Sequence, residues 1–461
     1  MPEALENTVA AISTPYGRGG IALIRISGSY ATQIAGAVFC RADGRPFSSG
    51  ESGMAHYGSI VNPDGEVIDD GLAVIFRAPA SFTGEDTVEI SCHGGILVSG
   101  EVLRAVFEAG AAPAGPGEFT KRAFMNGKIS LSQAESVIDV IDAETTSALR
   151  LARANASGAL SKRIDGIYKE LESIAAETYV YLDYPDEDLA DMTPGRMKEK
   201  LQEIFESLLG LYNSYRAGHA IGEGIYTVIT GKPNSGKSSL LNRMLGKERA
   251  IVSDIAGTTR DFIEESVPVG NILLRLCDTA GIREDGGDLI EKTGIERSFE
   301  ALERAELVLA VFDGSSAQSG EDTVILERLS ENPASKIALI NKCDLERKFD
   351  AKLTGFDRVI SISAKTGEGI DSLNKCIEEL FIGQKIDYGN YPLISNARQA
   401  ANVKKALNAV SNALSALSNG LSPDMAGLDI EEAMGALGEC DGRTVGADIV
   451  NNIFHRFCVG K

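Results

Sequence analysis

The residues whose types and spacing carry the clearest chemistry are Gly231-Lys232-Pro233-Asn234-Ser235-Gly236-Lys237-Ser238, followed by Ser239. This is Gly-x-x-x-x-Gly-Lys-Ser at the end of the short apolar run Val228-Ile229-Thr230. Glycines at these places let backbone N–H groups curl around phosphate oxygens, and the helix that follows presents its positive end to them. The spacing gives Lys237 a catalytic place at the β- and γ-phosphates and makes Ser238 a Mg²⁺ ligand. Gly257-Thr258-Thr259 supplies a second hydroxyl for Mg²⁺, assigned to Thr259. Asp278-Thr279-Ala280-Gly281 ends an apolar strand; Asp278 holds Mg²⁺ through water, and the Gly281 amide senses the γ-phosphate. Asn341-Lys342-Cys343-Asp344 ends another. A carboxylate at Asp344 accepts two hydrogen bonds from guanine, whereas adenine would leave it unpaired. Ser363-Ala364-Lys365 then covers the base. Four elements in this order imply a GTPase domain from about Ile225 to about Phe381, with GTP and Mg²⁺ as its ligands.

The hydrolytic apparatus departs from the Ras-like pattern. After Gly281 stands Ile282, where Ras-like proteins carry the glutamine that orients water. An isoleucine cannot do this. The stretch that follows is acidic, with Glu284, Asp285, Asp288, Glu291 and Glu296. Asn234 offers a side-chain carbonyl suited to a monovalent cation, over which the carbonyls of the Ser253–Gly257 loop could close; its other reading is a brace for the loop.

The elements that must position these groups come in three textures. Residues 1 to about 120 are Gly-rich, with short β-branched runs (Ile21–Ile26, Gly71–Phe76, Thr87–Ile90) that read as strands and a helix over Val98–Ala109. From Ser132 to Ala217 Gly and Pro thin out and the chain reads as helix, opened by a capping box at Ser132-Gln133-Ala134-Glu135 and interrupted at Tyr184-Pro185-Asp186-Glu187. Lys198–Arg216 resumes the amphipathic pattern. After the GTPase segment, Asn396–Leu417, Asp429–Leu437 and Val445–Phe457 are helical again. The expected fold is multidomain α/β. It divides into an N-terminal domain (1–120), a helical domain split into 121–220 and 385–461, and a P-loop G domain inserted at 221–384.

The chain has 461 residues, 43% of them apolar, enough for more than one core. Its net charge of −21 argues against a broad basic surface for nucleic acid. Seven scattered cysteines, never spaced Cys-x-x-Cys, read as reduced cytosolic thiols. No run is long enough to span a membrane and no secretory signal is visible, so a cytoplasmic location is expected. His93 beside Cys92 suggests metal, but with only two adjacent candidate ligands a structural or ligand-contacting role is preferred. Cys458, beside Lys461 and a glycine, can be read as a nucleophile or as part of a packed tail.

The order of motifs resembles the MnmE (TrmE) family of tRNA modification GTPases over essentially the whole chain. The resemblance rests on Gly17–Ile21, Leu23–Gly28, Ser81–Asp86, Cys92–Gly95, Pro116–Lys128 and the terminal Phe457–Lys461, beside the GTPase motifs. It implies a tetrahydrofolate-binding-like N-terminal domain that forms a homodimer, with Arg25, Glu85, Arg122, Lys128 and Lys461 near a 5-formyl- or methylene-tetrahydrofolate; with it the ligand-contacting reading of His93 becomes a folate contact, and the nucleophile reading of Cys458 is directed toward a pyrimidine ring. It implies K⁺ held by Asn234 with Ser253, Ile255 and Thr258, and water positioned by Glu291. It also implies an FAD-dependent partner of the MnmG (GidA) type in a heterotetramer, acting on the wobble uridine of certain tRNAs. Ala112 stands where the family commonly has arginine, which removes any contact that side chain made. A regulatory GTPase of ribosome assembly is the competing reading, since the G domain alone serves both functions.

Overall fold

The computed structural model describes residues 7–183, 193–246, 265–276, 301–383 and 392–461. They form two compact units, one of residues 1–138 and 438–461 and one of residues 139–437. The first unit opens with β1 (Val9–Ile12), β2 (Ile21–Ser27), α1 (Ala31–Val38), β3 (Phe39–Arg41), β4 (Ala55–Val61), β5 (Val67–Phe76), β6 (Thr87–His93), α2 (Ile96–Glu108) and β7 (Ala112–Pro113). The strands form one sheet in the order β3-β4-β5-β6-β2-β1-β7, antiparallel except where β7 joins β1. Period-two alternation decides its faces. Ala22, Ile24 and Ile26 of β2 point with Ile75, Val88 and Ile90 into a core that α1 and α2 cover. Arg25 and Glu89 are opposite one another on the other face.

α3 (Glu118–Met125) and α4 (Leu131–Asp142) follow. The capping box of α4 lies two residues earlier than the sequence suggested. Ser130 N–H donates to Gln133 Oε1 at 3.0 Å and Gln133 N–H to Ser130 Oγ at 3.2 Å. Ser132 is instead buried inside the helix and donates to the Cys440 carbonyl. Two Ser-x-x-(Gln/Glu) frames overlap here, and burial of Leu131 selects the first.

The second unit begins with α5 (Thr146–Ala156), α6 (Ala159–Asp183), α7 (Pro194–Asn213) and α8 (Tyr215–Gly222). The sequence break at 184–187 lies outside the described residues. Next come β8 (Ile225–Thr230), α9 (Lys237–Leu245), β9 (Glu265–Val269), β10 (Ile272–Leu276), β11 (Leu307–Asp313), α10 (Gly320–Glu331), β12 (Ser335–Asn341), β13 (Arg358–Ser361) and α11 (Ile370–Ile382). The strand order β13-β12-β11-β8-β10-β9 is parallel but for the β9–β10 hairpin. β8, β11 and β12 read as continuous apolar runs because helices cover both faces. α12 (Ala397–Ser418) then packs along α7, so the helical part is built from segments on both sides of the sheet in sequence. α13 (Pro423–Asp441) leads back into the first unit. There α14 (Ala447–Phe454) joins α4 through a cluster of Leu131, Ala134, Val450, Phe454 and Phe457, with Phe124 of α3 packed against it.

Candidate nucleotide site

In an open parallel sheet, ligands lie beyond the carboxyl ends of the strands. β8 ends at Thr230 and β12 at Asn341, and the loops that follow border a common cavity of about 400 Å³. That volume lies within the range of roughly 300–1,000 Å³ usual for small-molecule sites. Asn234, Gly236, Lys237, Ser238 and Ser239 line one side. Asn341, Lys342, Asp344, Ser363, Ala364 and Lys365 line the other. The structure thus gathers eleven residues of the phosphate-loop and base-loop motifs at one cavity; Gly231, Lys232, Pro233 and Cys343 of those motifs do not line it, nor does Ser235, which is fully buried.

Backbone geometry explains the residue types. Gly236 has φ +100°, and a Cβ there would stand 2.0 Å from Asn341 Nδ2. Gly231 has φ +156°, and a Cβ would meet the Val311 carbonyl at 2.4 Å. Asn234 itself is left-handed at φ 59°, a region that asparagine enters more readily than other side chains. α9 begins at Lys237 with no side-chain cap on its first turn. The N–H groups of that first turn and the positive dipole end are suited to phosphate. Lys237 Nζ donates to the carbonyls of Gly231 at 2.9 Å and Lys232 at 3.0 Å.

The two sides of the cavity are tied together by Asn341, which is 2% exposed. Its Nδ2 donates to the Ser235 carbonyl at 2.7 Å, and its Oδ1 accepts from Ala364 N–H at 3.0 Å. One side chain therefore joins the phosphate loop to the Ser363-Ala364-Lys365 loop. Arg243, on the last turn of α9, donates to the Ala364 carbonyl at 3.1 Å and also to that of Lys365. Lys342, left-handed at φ 64°, reaches Asp313 Oδ2 at 2.6 Å. Burial opposes the charge on Asp313, yet the bonds from Lys342 and Ser315 hold its carboxyl below the usual range. Asp344 is exposed at the cavity edge, where a carboxylate can accept two donors from a purine.

Ser253, Ile255, Thr258, Thr259, Asp278, Gly281 and Glu291 lie outside the described residues.

A second polar cluster lies in the N-terminal unit. Arg122 is fully buried on α3. Its Nη1 donates to both carboxylate oxygens of Glu85 at 3.0 and 3.2 Å, its Nε to Glu118 at 3.0 Å, and its Nη2 to the Asn7 carbonyl at 2.9 Å. Ser27 Oγ also donates to Glu85. Arg25 pairs with Glu89 at 2.7 Å, and its guanidinium stands over the rings of Phe82 and Phe119. Lys128 Nζ donates to the Pro79 carbonyl at 2.8 Å. The tail packs against the same unit: Phe119 N–H donates to the Lys461 carbonyl at 3.0 Å and Ser13 Oγ to that of Gly460 at 2.8 Å. Cys458 is exposed within this strap. His93 Nδ1 faces Asp69 at 2.8 Å, and burial pushes the neighbouring Cys92 thiol up to about 11. Among the described residues there is no cluster of three or more metal-ligating side chains. Ala112, in place of the family arginine, is a short strand residue whose N–H donates to the Thr8 carbonyl.

Residues 8–128 match the family model described as the GTP-binding protein TrmE N-terminus, and residues 131–458 match that of the MnmE helical domain. The tRNA modification GTPase MnmE of Carboxydothermus hydrogenoformans is 42% identical over 99% of this chain and 100% of its own. That of Geobacillus kaustophilus is 41% identical over 99% of each chain. The chain belongs to the MnmE family. Among solved structures, Era in complex with MgGDPNP and nucleotides 1506–1542 of 16S ribosomal RNA shares 26% identity at a TM-score of 0.27. The match covers 40% of this chain and 66% of that one, and a score this low carries no functional weight.

For a GTPase of the MnmE family, the motifs in the sequence identified the cavity wall but not its supports. Lys232 stood in the phosphate-loop motif without a role of its own, and Arg243, Asp313 and Asp322 were not singled out. The only available signal was local: Ser319 and Asp322 have the spacing of a capping box, and both of its reciprocal bonds are present at α10. No helix among the described residues is long and apolar enough to cross a membrane.

Proposed function

We propose that this chain is a potassium-activated GTPase working with an FAD-dependent partner of the MnmG type. Together they attach a carboxymethylaminomethyl or aminomethyl group to carbon 5 of the wobble uridine in certain tRNAs. The one-carbon unit comes from a 5-formyl- or methylene-tetrahydrofolate. The observation that supports the reading is a single cavity lined by the phosphate-loop and base-loop residues in a chain of this family. GTP fits the groups present, an ammonium and an uncapped helix N-terminus on one side and a carboxylate for the base on the other, and the Ser238 hydroxyl at the same cavity would supply a protein ligand to Mg²⁺.

In this reading Lys237 leaves the Gly231 and Lys232 carbonyls for the β- and γ-phosphates. Ser238 and Thr259 ligate Mg²⁺, with Asp278 acting through water. Asn234 turns its carbonyl toward K⁺, completed by Ser253, Ile255 and Thr258, so that a cation supplies charge that a partner's arginine supplies elsewhere. Glu291 positions the attacking water in place of the glutamine that Ile282 replaces. The domain limits are 1–120, 121–220 with 385–461, and 221–384.

In the N-terminal unit Arg25 and Lys128 are the groups of the cluster with cationic atoms nearest solvent. All three guanidinium nitrogens of Arg122 are committed, so Arg122 acts by holding Glu85. Exposed Ile21, Tyr57 and Leu72 on the uncovered sheet face support a homodimer through this unit. The protein acts in the cytoplasm.

Nucleoside analysis of tRNA from cells lacking the protein tests the whole reading: normal wobble uridines would reject it in favour of a binding switch. GTPase rates in K⁺ and in Na⁺, with Asn234→Ala beside the native chain, test the cation; equal native rates in the two salts would remove it.

A further inference from the structure

The phosphate loop is held from behind by a residue that lines no part of the cavity. Lys232 extends away from the nucleotide side toward the start of α10. Its Nζ donates to Asp322 Oδ2 at 2.8 Å and lies 3.3 Å from Ser316 Oγ and 3.4 Å from Ser319 Oγ. The side chain of Asp322 is fully buried, and that of Lys232 is 13% exposed. The same carboxylate oxygen accepts from Ser319 N–H at 2.9 Å and Ser319 Oγ at 2.7 Å, so helix cap and loop share one acceptor. Burial opposes the charge on Asp322, and the bonds from Lys232 and Ser319 outweigh it and keep the carboxyl ionised.

The other end of Lys232 faces the site. Its carbonyl accepts from Lys237 Nζ at 3.0 Å and from Ser235 N–H at 3.2 Å. A chain of contacts therefore runs from a buried carboxylate through one side chain and its own carbonyl to the ammonium beside the phosphates. The base loop is attached close by. Asp313 holds Lys342, and Gly314 N–H donates to the Asn341 carbonyl at 2.8 Å. Segment 313–322 thus carries supports for both halves of the cavity.

We propose that Lys232, pinned by Asp322, is a positioning residue for nucleotide binding: it fixes the carbonyl beside Lys237 and keeps the phosphate loop in its nucleotide-accepting form. This rests on reading the cavity as the nucleotide site. Because the pin acts before binding, its loss falls on affinity rather than on turnover of bound nucleotide.

The test uses the full chain with a fluorescent GDP analogue and steady-state GTP hydrolysis. Lys232→Met and Asp322→Asn are each expected to raise the GDP Kd and the GTP KM about tenfold, the scale of one charge-assisted hydrogen bond. At saturating GTP, kcat stays within about twofold of the native value. The double variant is no worse than the weaker single, since the two act as one pair. Lys232→Arg restores most of the affinity. Lys237→Ala serves as the control for the site itself. Native-like GDP binding by Lys232→Met, beside a defective Lys237→Ala, would overturn the proposal. So would singles whose effects add in the double, or no rescue by Lys232→Arg in a protein that melts at the native temperature. If Lys237→Ala also binds GDP normally, it is the site reading that fails.

Discussion

Replacing Asn341 by Asp keeps the side-chain shape and the acceptor for Ala364 N–H, but puts an oxygen where Nδ2 now donates to the Ser235 carbonyl at 2.7 Å. Two outcomes are open to the new carboxyl. Ionised, it faces a carbonyl oxygen in a site only 2% exposed. Protonated, its hydroxyl can donate to Ser235 and restore the bridge. Staying protonated at pH 7 costs about 4 kcal/mol, from roughly three pH units above a free aspartate at 1.36 kcal/mol each. The sign follows from a raised folded-state pKa: the penalty is full at neutral pH and vanishes as pH falls to about 3.9. Between pH 7 and pH 5 about 2.7 kcal/mol returns, roughly 100-fold in Kd if the bridge is needed only to hold the nucleotide loops together. Asn341→Ala removes both bonds and strands a buried carbonyl and N–H. It should lose about 2–4 kcal/mol with no recovery on acidification. GDP affinity and urea unfolding, measured for native, Asn341→Asp and Asn341→Ala chains at pH 5, 6 and 7, separate these cases. A pH-independent Asn341→Asp chain with native affinity would refute the claim that this amide joins the phosphate and base loops.

Asp344→Asn should weaken GTP binding by roughly 100-fold and favour a xanthine nucleotide, whose ring carbonyl accepts from the new amide; competition binding reads this directly. Arg122→Met leaves Glu85, Glu118 and the Asn7 carbonyl without their shared donor, and should lower stability by about 3–5 kcal/mol in urea unfolding, since it breaks a buried ion pair by removing one partner. His219 is held between Glu223 at 3.1 Å and Glu306 at 2.9 Å. Burial works against its charge, but the two carboxylates prevail and raise its pKa to about 9. The stability it contributes is full below about pH 6.5 and is lost as pH rises through about 9, an effect of about 3 kcal/mol or less. His219→Gln should flatten that decline in thermal melts between pH 6.5 and 9.5.

The GTPase motifs were legible because each is a local rule imposed by backbone geometry or by a ligand. Gly231 and Gly236 must be glycine where a Cβ would strike Val311 or Asn341. Asn341 and Asp344 stand at the end of an apolar strand that marks its own limits. The split of the helical part was legible for a related reason, since the amphipathic pattern of α7 needs an apolar partner and α12 supplies it. What escaped notice depends on pairs distant in sequence. Lys232 and Asp322 are 90 residues apart, and each alone reads as a solvated charge. The overlapping Ser130 and Ser132 frames differ only in which lets Leu131 be buried, a tertiary fact. Arg122 looked like a ligand-facing cation, and only its burial beneath Glu85 and Glu118 shows it committed to protein groups.

A parallel sheet has two chemically distinct ends, and this one uses both. The nucleotide loops leave from the carboxyl ends of β8 and β12, while the helices hold the opposite ends. α8 runs directly into β8, and His219 of α8 clamps Glu306 at the start of β11. Glu306 also binds the Tyr226 amide, so one carboxylate joins helix and two strands. Arg216 of α8 stacks on Phe381 of α11, and Arg275 of β10 donates to the Glu223 carbonyl just past α8. At the β9–β10 turn, Asn271 accepts from Ser147 of α5 and donates to Glu378 of α11. A Cβ on Gly270 would strike that same carboxylate at 2.6 Å. The hairpin is therefore pinned at its turn to α5 of the helical part and to α11, while β10 pairs in parallel with β8, the strand whose carboxyl end leads into the phosphate loop. The helices that precede the GTPase segment in sequence thus touch the sheet at the end opposite its nucleotide loops.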